Sequence, residues 1–369
     1  MFYIYVLYFL IVNSILFLKL IKDIVKYNVN MKKDLGQFYT VNYKYILQNF
    51  KIPEYIENII EPFAGKGDLL EYIGNNYNVE SYDIEPKALN IIKRDTLLQP
   101  PSYKNKFVIT NPPFLARNKS ENKEIFDKFK LNDLYKCFIK NIIDDNVLGG
   151  IIIVPLNFLC SIRKNDIQLR SDFLKIYQIT HMNIFEEKVF PDTTYTICSL
   201  QFTLSNQDNQ DNQSINCIVY PANNILKIQL NKENNYSFGG EVYNLPQKTH
   251  IKIQRLTLKN KDDPNSTNLL VKCIDANEEN KIQMFYVKDN ERYIDDTPNL
   301  SARTYASFII EPKLNESQQK KLVEDFNTYL KNQREKYNSL FLTNYRESKK
   351  IARKRISFNL VFEIINYLL

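Results

Sequence analysis

The chain has no tryptophan, two histidines (His181 and His250) and five cysteines in 369 residues. The cysteines, Cys137, Cys160, Cys198, Cys217 and Cys273, lie too far apart in sequence to form a zinc clip. Two histidines add too few ligands, so no structural or catalytic zinc site is expected. An odd number of scattered cysteines suits a reducing compartment rather than a disulfide framework. The missing tryptophan accompanies an abundance of Lys, Asn, Ile and Tyr, which reads as A+T-rich coding without functional content. No repeat of solenoid period is evident. A net charge of +7 permits a polyanionic partner without demanding one, so where the charge sits matters more than its sum. With 44% hydrophobic and 25% charged residues the chain is expected to fold, and its length allows two domains.

Residues Met1 to Leu18 carry no charge and are almost wholly apolar, with Lys19 ending the run. By length this is a candidate membrane helix or uncleaved signal. No basic residues precede it, however, and no small-residue cleavage site follows. Met31 stands directly before Lys32-Lys33-Asp34-Leu35-Gly36-Gln37-Phe38, where the recognisable protein begins. Residues 1–30 are therefore expected to be an extension ahead of the true start; a helix packed on the body and a membrane anchor are the alternatives.

From Pro53 to Leu204, β-like runs alternate with helical spacing. Strands are expected at Ile59–Phe63, Val79–Asp83, Phe107–Thr110, Gly150–Val154, Ile179–Phe185 and Thr196–Leu204. Helices are expected at Gly67–Asn75, Pro86–Lys93 and Leu131–Asp145. This alternation implies an α/β fold with a mostly parallel sheet. Ser205 to Ser214 is a polar tract, read as a surface loop. Short strand-like segments follow to Ile310, and Asn315 to Leu369 has a helical pattern. The division expected is a catalytic domain over 31–204 and a smaller recognition domain over 205–369.

Three motifs carry chemistry. Glu61-Pro62-Phe63-Ala64-Gly65-Lys66-Gly67 places an acid and a Gly-x-Gly turn between a strand and a helix, where the missing Cβ lets the backbone approach a nucleotide. Leu70 stands where a dinucleotide fingerprint has its third glycine, so a nicotinamide cofactor is disfavoured. Asp83-Ile84-Glu85-Pro86, about 20 residues on, is placed to accept from ribose hydroxyls or to cap a helix, and Asp95 could accept from an adenine amine. Asn111-Pro112-Pro113-Phe114 directly follows a strand. Its two prolines fix φ and remove two donors, leaving the Asn111 amide oxygen and the Pro112 carbonyl as a rigid pair of acceptors suited to an NH2 group. Phe114 offers a flat face for an extruded base.

Together these segments resemble the gamma-type N6-adenine DNA methyltransferases of type II restriction-modification systems. The resemblance covers roughly Lys33 to Leu204. It implies a Rossmann-like class I S-adenosylmethionine-dependent methyltransferase domain with a mostly parallel seven-stranded sheet, followed by a target recognition domain. It also implies S-adenosylmethionine as cofactor and an adenine flipped out of a short site in double-stranded DNA as substrate. Leu35-Gly36-Gln37-Phe38-Tyr39-Thr40 resembles the family's N-terminal motif, which puts Phe38, Tyr39 and Thr40 against the methionine part of the cofactor. By the same resemblance Glu61, Phe63, Ala64, Gly65 and Gly67 hold the methionine end, Asp83 and Ile84 flank the ribose, and Asp95 meets the adenine. Asn111, Pro112, Pro113 and Phe114 are the catalytic motif, with Phe114 where many members carry Tyr. Val189-Phe190-Pro191 resembles the late motif, whose phenylalanine stacks on the target base; on composition alone Phe190 could equally be core.

From Thr343 to Ile356 there are six basic residues and one acidic. Arg346, Lys349, Lys350, Arg353, Lys354 and Arg355 are candidate phosphate contacts on a basic helical C-terminus, a solvated helix face being the bland alternative. Phe341 and Tyr345 beside them read as packing residues. Pro191-Asp192 is not followed by a Glu-x-Lys at useful spacing, so a cognate restriction endonuclease is expected to be a separate chain. An RNA adenine or guanine methyltransferase is the main rival, disfavoured by the double proline and the long basic C-terminal region. A non-catalytic DNA-binding subunit is disfavoured by the intact motifs. No membrane partner and no metal are expected, and the expected location is cytoplasmic, with host or viral DNA.

Overall fold

The computed structural model describes residues 35–191, 193, 195–205, 212–275, 281–296, 304–347 and 352–369. The apolar run within residues 1–30 lies outside the described residues.

The apolar runs form one sheet. Its first seven strands are β1 (Asn58–Glu61), β2 (Asn78–Asp83), β3 (Ile92–Lys93), β4 (Phe107–Thr110), β5 (Gly149–Pro155), β6 (Tyr177–Phe185) and β7 (Ile197–Leu204). They lie in the order β3-β2-β1-β4-β5-β7-β6. β3, β2, β1, β4 and β5 run parallel, and β7 is antiparallel to both β5 and β6. Every residue of β4 and β5 is buried, as strands covered on both faces require. This is the Rossmann-like α/β arrangement expected of a class I methyltransferase domain. Strand order reverses between β1 and β4, so a crevice opens at their carboxyl ends, the place where open α/β sheets bind ligands.

The structure corrects three expectations. Pro86–Lys93 is not a helix: turns carry the chain from β2 to β3. Asp83 accepts the Glu85 N–H and tightens this connection, and Leu89 is fully exposed, so no apolar stripe exists for a helix to bury. The sheet has nine strands, since β8 (Asn212–Tyr220) runs parallel to β6 and β9 (Asn224–Asn231) pairs with β8. The alternating apolar side chains of β8 and β9 join the first core, which runs on to Phe238. The first unit therefore does not end at Leu204. Finally, the C-terminal stretch is not helical throughout. Helices Glu316–Tyr337 and Phe358–Leu368 flank a hairpin of β14 (Thr343–Glu347) and β15 (Ala352–Arg355), with residues 348–351 outside the described set. The reason is backbone pairing: Asp275 N–H donates to the Lys354 carbonyl at 3.0 Å and Ile356 N–H to the Cys273 carbonyl at 3.1 Å.

Between these regions stands an antiparallel sheet of β10 (Lys252–Arg255), β11 (Ser266–Lys272), β12 (Gln283–Tyr286) and β13 (Tyr305–Glu311), ordered β10-β13-β11-β12. The two C-terminal helices pack on it. The longer one is capped by Asn315 and Gln318 and buries Leu322, Phe326 and Leu330 at helical spacing. Phe341 is buried, as read; the side chain of Tyr345 lies outside the described residues.

Candidate active site

The crevice at the ends of β1 and β4 holds a cavity of about 400 Å³. Its lining brings together Phe38, Tyr39, Phe63, Gly65, Asp83, Ile84, Asp95, Asn111 and Pro113 from segments spread over 75 residues of sequence. Thr40, Ala64, Gly67, Pro112 and Phe114 stand directly behind or beside them in the same loops.

The Gly-containing turn is built as the spacing suggests. Gly65 has φ +52° and Gly67 φ +91°, and Gly67 precedes the helix Asp68–Ile73. A Cβ on Gly65 would lie 2.8 Å from the Tyr39 ring, so glycine is required both by conformation and by close approach. Asp83 holds the turn from below. Its carboxylate accepts the Gly65 N–H at 2.8 Å and the Glu85 N–H at 2.7 Å. Burial raises its pKa, against the pull of those two donors. Asp95 accepts the N–H groups of Leu97 and Leu98 at 3.1 and 3.0 Å, which caps the turn that forms one wall.

Glu61 is fully buried at the end of β1. One carboxyl oxygen accepts from the Phe63 N–H at 3.0 Å and from the Thr110 hydroxyl; the other, Oε2, has no partner. Burial pushes its pKa up to about 8, more than these donors lower it. An uncompensated buried carboxyl of this kind is costly unless a cation arrives to pair with it.

Asn111 follows β4 and is 8% exposed. Its Nδ2 donates to the Phe38 carbonyl at 2.7 Å and to the Thr40 hydroxyl at 3.0 Å. These two acceptors fix the amide with Oδ1 on the other side, buried and without a donor. The segment Leu35–Thr40 acts as a strap over the site. Besides holding Asn111, it accepts the Phe114 N–H at the Gly36 carbonyl (2.9 Å) and reaches Asp83 from Gln37 Nε2 (3.5 Å). Gly36, with φ +66°, leaves no room for a Cβ, which would meet the Phe114 carbonyl oxygen at 2.8 Å. The contributions of Gly36, Gln37 and Thr110 were not foreseen in sequence. Gly36 and Gln37 stand inside a recognised motif, while Thr110 had only its position before Asn111 as a signal.

Phe114 and Phe190 are both almost completely buried. The ring lying against each is Phe38, stacked on Phe114 at 5.3 Å and tilted to Phe190 at 6.2 Å. The two rings expected to sandwich a base thus both face a third ring, and a base placed between them requires Phe38 to turn aside.

The basic hairpin divides the candidate phosphate contacts. Lys354 is turned inward and buried, paired with the Glu186 carboxylate and donating to the Asn338 carbonyl at 3.1 Å. Its amine thus faces the half-buried Glu186 carboxylate rather than the hairpin surface, unlike the phosphate contact expected of it. Arg355 is half-buried beside it. Lys349 and Lys350, and the side chains of Arg346 and Arg353, lie outside the described residues. Among the described residues no cluster of three or more His, Cys, Asp or Glu could hold a metal, and no helix is long and apolar enough to cross a membrane.

No protein-family model and no curated protein matches the chain. Solved structures do. The type I restriction-modification methyltransferase subunit from Streptococcus thermophilus aligns with 14% identity over 53% of this chain and 50% of its own, at a TM-score of 0.37. The M protein of the type I restriction enzyme EcoKI aligns with 18% identity over 52% and 50%, at 0.36. The DrdV–DNA complex aligns with 14% identity over 66% and 37%, at 0.40. The chain thus spans half or less of the length of these proteins. At such scores the likeness adds no argument to the strand order and site geometry described above.

Proposed function

We propose that the chain transfers a methyl group from S-adenosylmethionine to the N6 amine of an adenine extruded from double-stranded DNA. The observation that carries this reading is the unpartnered, buried Oδ1 of Asn111, held toward an amine donor by the two hydrogen bonds of its Nδ2. The unpartnered Glu61 Oε2, buried at the end of β1, suits a ligand bearing an ammonium group, as the methionine end of the cofactor does. Gly65 leaves room for close approach, Asp83 and Ile84 stand where the ribose would lie, and Asp95 where the adenine end would. When bound, the cofactor supplies a methyl group carried on a sulfonium centre.

The chain's own part is positioning. The N6 lone pair of adenine is delocalised into the ring. Asn111 Oδ1 and the Pro112 carbonyl accept the two N6 hydrogens, which favours a tetrahedral nitrogen with its lone pair exposed. With the cofactor bound, the methyl group would pass to N6 as its sulfonium C–S bond breaks to a neutral thioether, without a covalent enzyme intermediate, and one N6 proton would pass to water. Phe114 and Phe190 hold the base by stacking once Phe38 has turned aside. The region beyond residue 240 supplies target recognition, with a partner nuclease as a separate chain.

The test is transfer of labelled methyl to unmethylated genomic DNA, total RNA and total protein, in parallel and with the product nucleoside identified by mass. N6-methyladenine in DNA is expected; label in RNA or protein alone refutes the substrate. Asn111→Ala is expected to lower turnover about 100-fold or more with cofactor affinity kept within about threefold. Near-wild-type turnover would remove Asn111 from the mechanism.

A further inference from the structure

We infer that Lys354 and Glu186 are a positioning pair that fixes the C-terminal hairpin to the loop carrying Phe190, so that DNA engagement at the hairpin and base capture share one frame. The inference rests on the DNA-methylation reading above. Its basis is where the pair stands. Glu186 directly follows the end of β6, and its N–H donates to the Tyr220 carbonyl at 2.9 Å. The next carboxylate, Glu187, accepts the Tyr45 hydroxyl, and four residues after Glu186 comes Phe190, packed against Phe38. On the other side, β15 pairs through its backbone with residues Cys273 to Asp275 at the end of β11, and antiparallel to β14. Lys354 is therefore a point where the second unit reaches the end of β6 with a charged side chain. Its side chain is 10% exposed and that of Glu186 26%.

A partly buried pair of this kind contributes little net stability against an apolar substitute; its part here is to favour one geometry over others. A lysine at the hairpin surface would serve a phosphate. One drawn inward onto the stem of the Phe190 loop sets where strands β14 and β15 stand relative to that loop.

Two readouts separate positioning from phosphate contact. One is the salt dependence of DNA binding; the other is the single-turnover methyl-transfer rate at saturating DNA. For Lys354→Met we expect an unchanged salt slope and about a tenfold slower single-turnover rate. Glu186→Gln, which cannot remove a phosphate contact, is expected to show the same pattern and serves if the Lys354 variant does not fold. The reversed pair E186K/K354E is expected to recover the rate to within about threefold. A phosphate contact would instead lower the salt slope by about 0.9 and leave the saturated rate intact. That result, or wild-type rates in both single variants, overturns the inference. Absence of methyl transfer to DNA by the wild-type protein would instead overturn the functional reading beneath it.

Discussion

Glu61 sets function against stability, and the conflict can be measured. Its carboxyl is fully buried, with one oxygen unpartnered, and burial raises its pKa from an ordinary 4.5 to about 8. A raised carboxyl pKa means that the folded state holds its proton more tightly than the unfolded chain. The associated stability is fully present below pH 4.5 and is lost as pH rises toward about 8. At about 1.4 kcal/mol per pH unit, the loss is roughly 3 kcal/mol at neutral pH and about 5 kcal/mol once pH exceeds 8. Glu61→Gln carries no titrating group, so it escapes this loss. The variant is expected to melt with the wild type near pH 4.5 and progressively above it at pH 6, 7 and 8, by several degrees at the upper end. The assay is thermal unfolding followed by circular dichroism, without ligand, across that pH series. The same variant should bind S-adenosylmethionine more weakly, since it removes the carboxylate that would meet the ammonium. Melting curves for the two proteins that stay parallel from pH 4.5 to 8 would refute the reasoning, because Glu61 would then not be a strained acid.

Two further outcomes follow from local geometry. Gly65→Ala is expected to cost about 1–2 kcal/mol through its left-handed φ and to lower cofactor affinity by displacing Tyr39; if the tight contact matters, adding Tyr39→Ala should recover part of the affinity in calorimetric titration. The buried pair Lys136–Asp166 (2.6 Å) also holds Ser161, so Lys136→Met should cost about 3–5 kcal/mol in denaturant unfolding, and Asp166→Leu added to it should return most of that loss.

What was legible in the sequence was local. The buried strands of a parallel sheet read as unbroken apolar runs, and Phe107–Thr110 and β5 were found for that reason. The motif loops were found because each follows a strand and carries its chemistry within four to seven residues. Asn111, Glu61 and Gly65 could be named, although the orphaned oxygens of Asn111 and Glu61 appear only once Thr40, Phe38 and Thr110 are placed around them. What depended on distant partners stayed hidden. The alternation in β8 and β9 marks strands but does not say which sheet they join. The polar tract before β8 suggested a boundary that the sheet crosses. Lys354 looked like its basic neighbours, and its partner Glu186 stands 168 residues earlier. The Phe38 ring between Phe114 and Phe190 was missed in the same way, since its segment suggested only a cofactor role.

The strap from Leu35 to Thr40 has a thermodynamic corollary. It lines the cavity proposed for the cofactor through Gln37, Phe38 and Tyr39, and it also fixes Asn111 and stacks Phe38 on Phe114. Under the proposed function, a single short segment is thus a wall common to cofactor and base. If one ligand settles that wall in the arrangement the other needs, each raises the affinity for the other by the same factor. If cofactor holds Phe38 in place, each weakens the other, again equally. The sign of that mutual effect is a property of six residues, and under the proposed function it decides whether DNA is searched with the methyl donor already aboard.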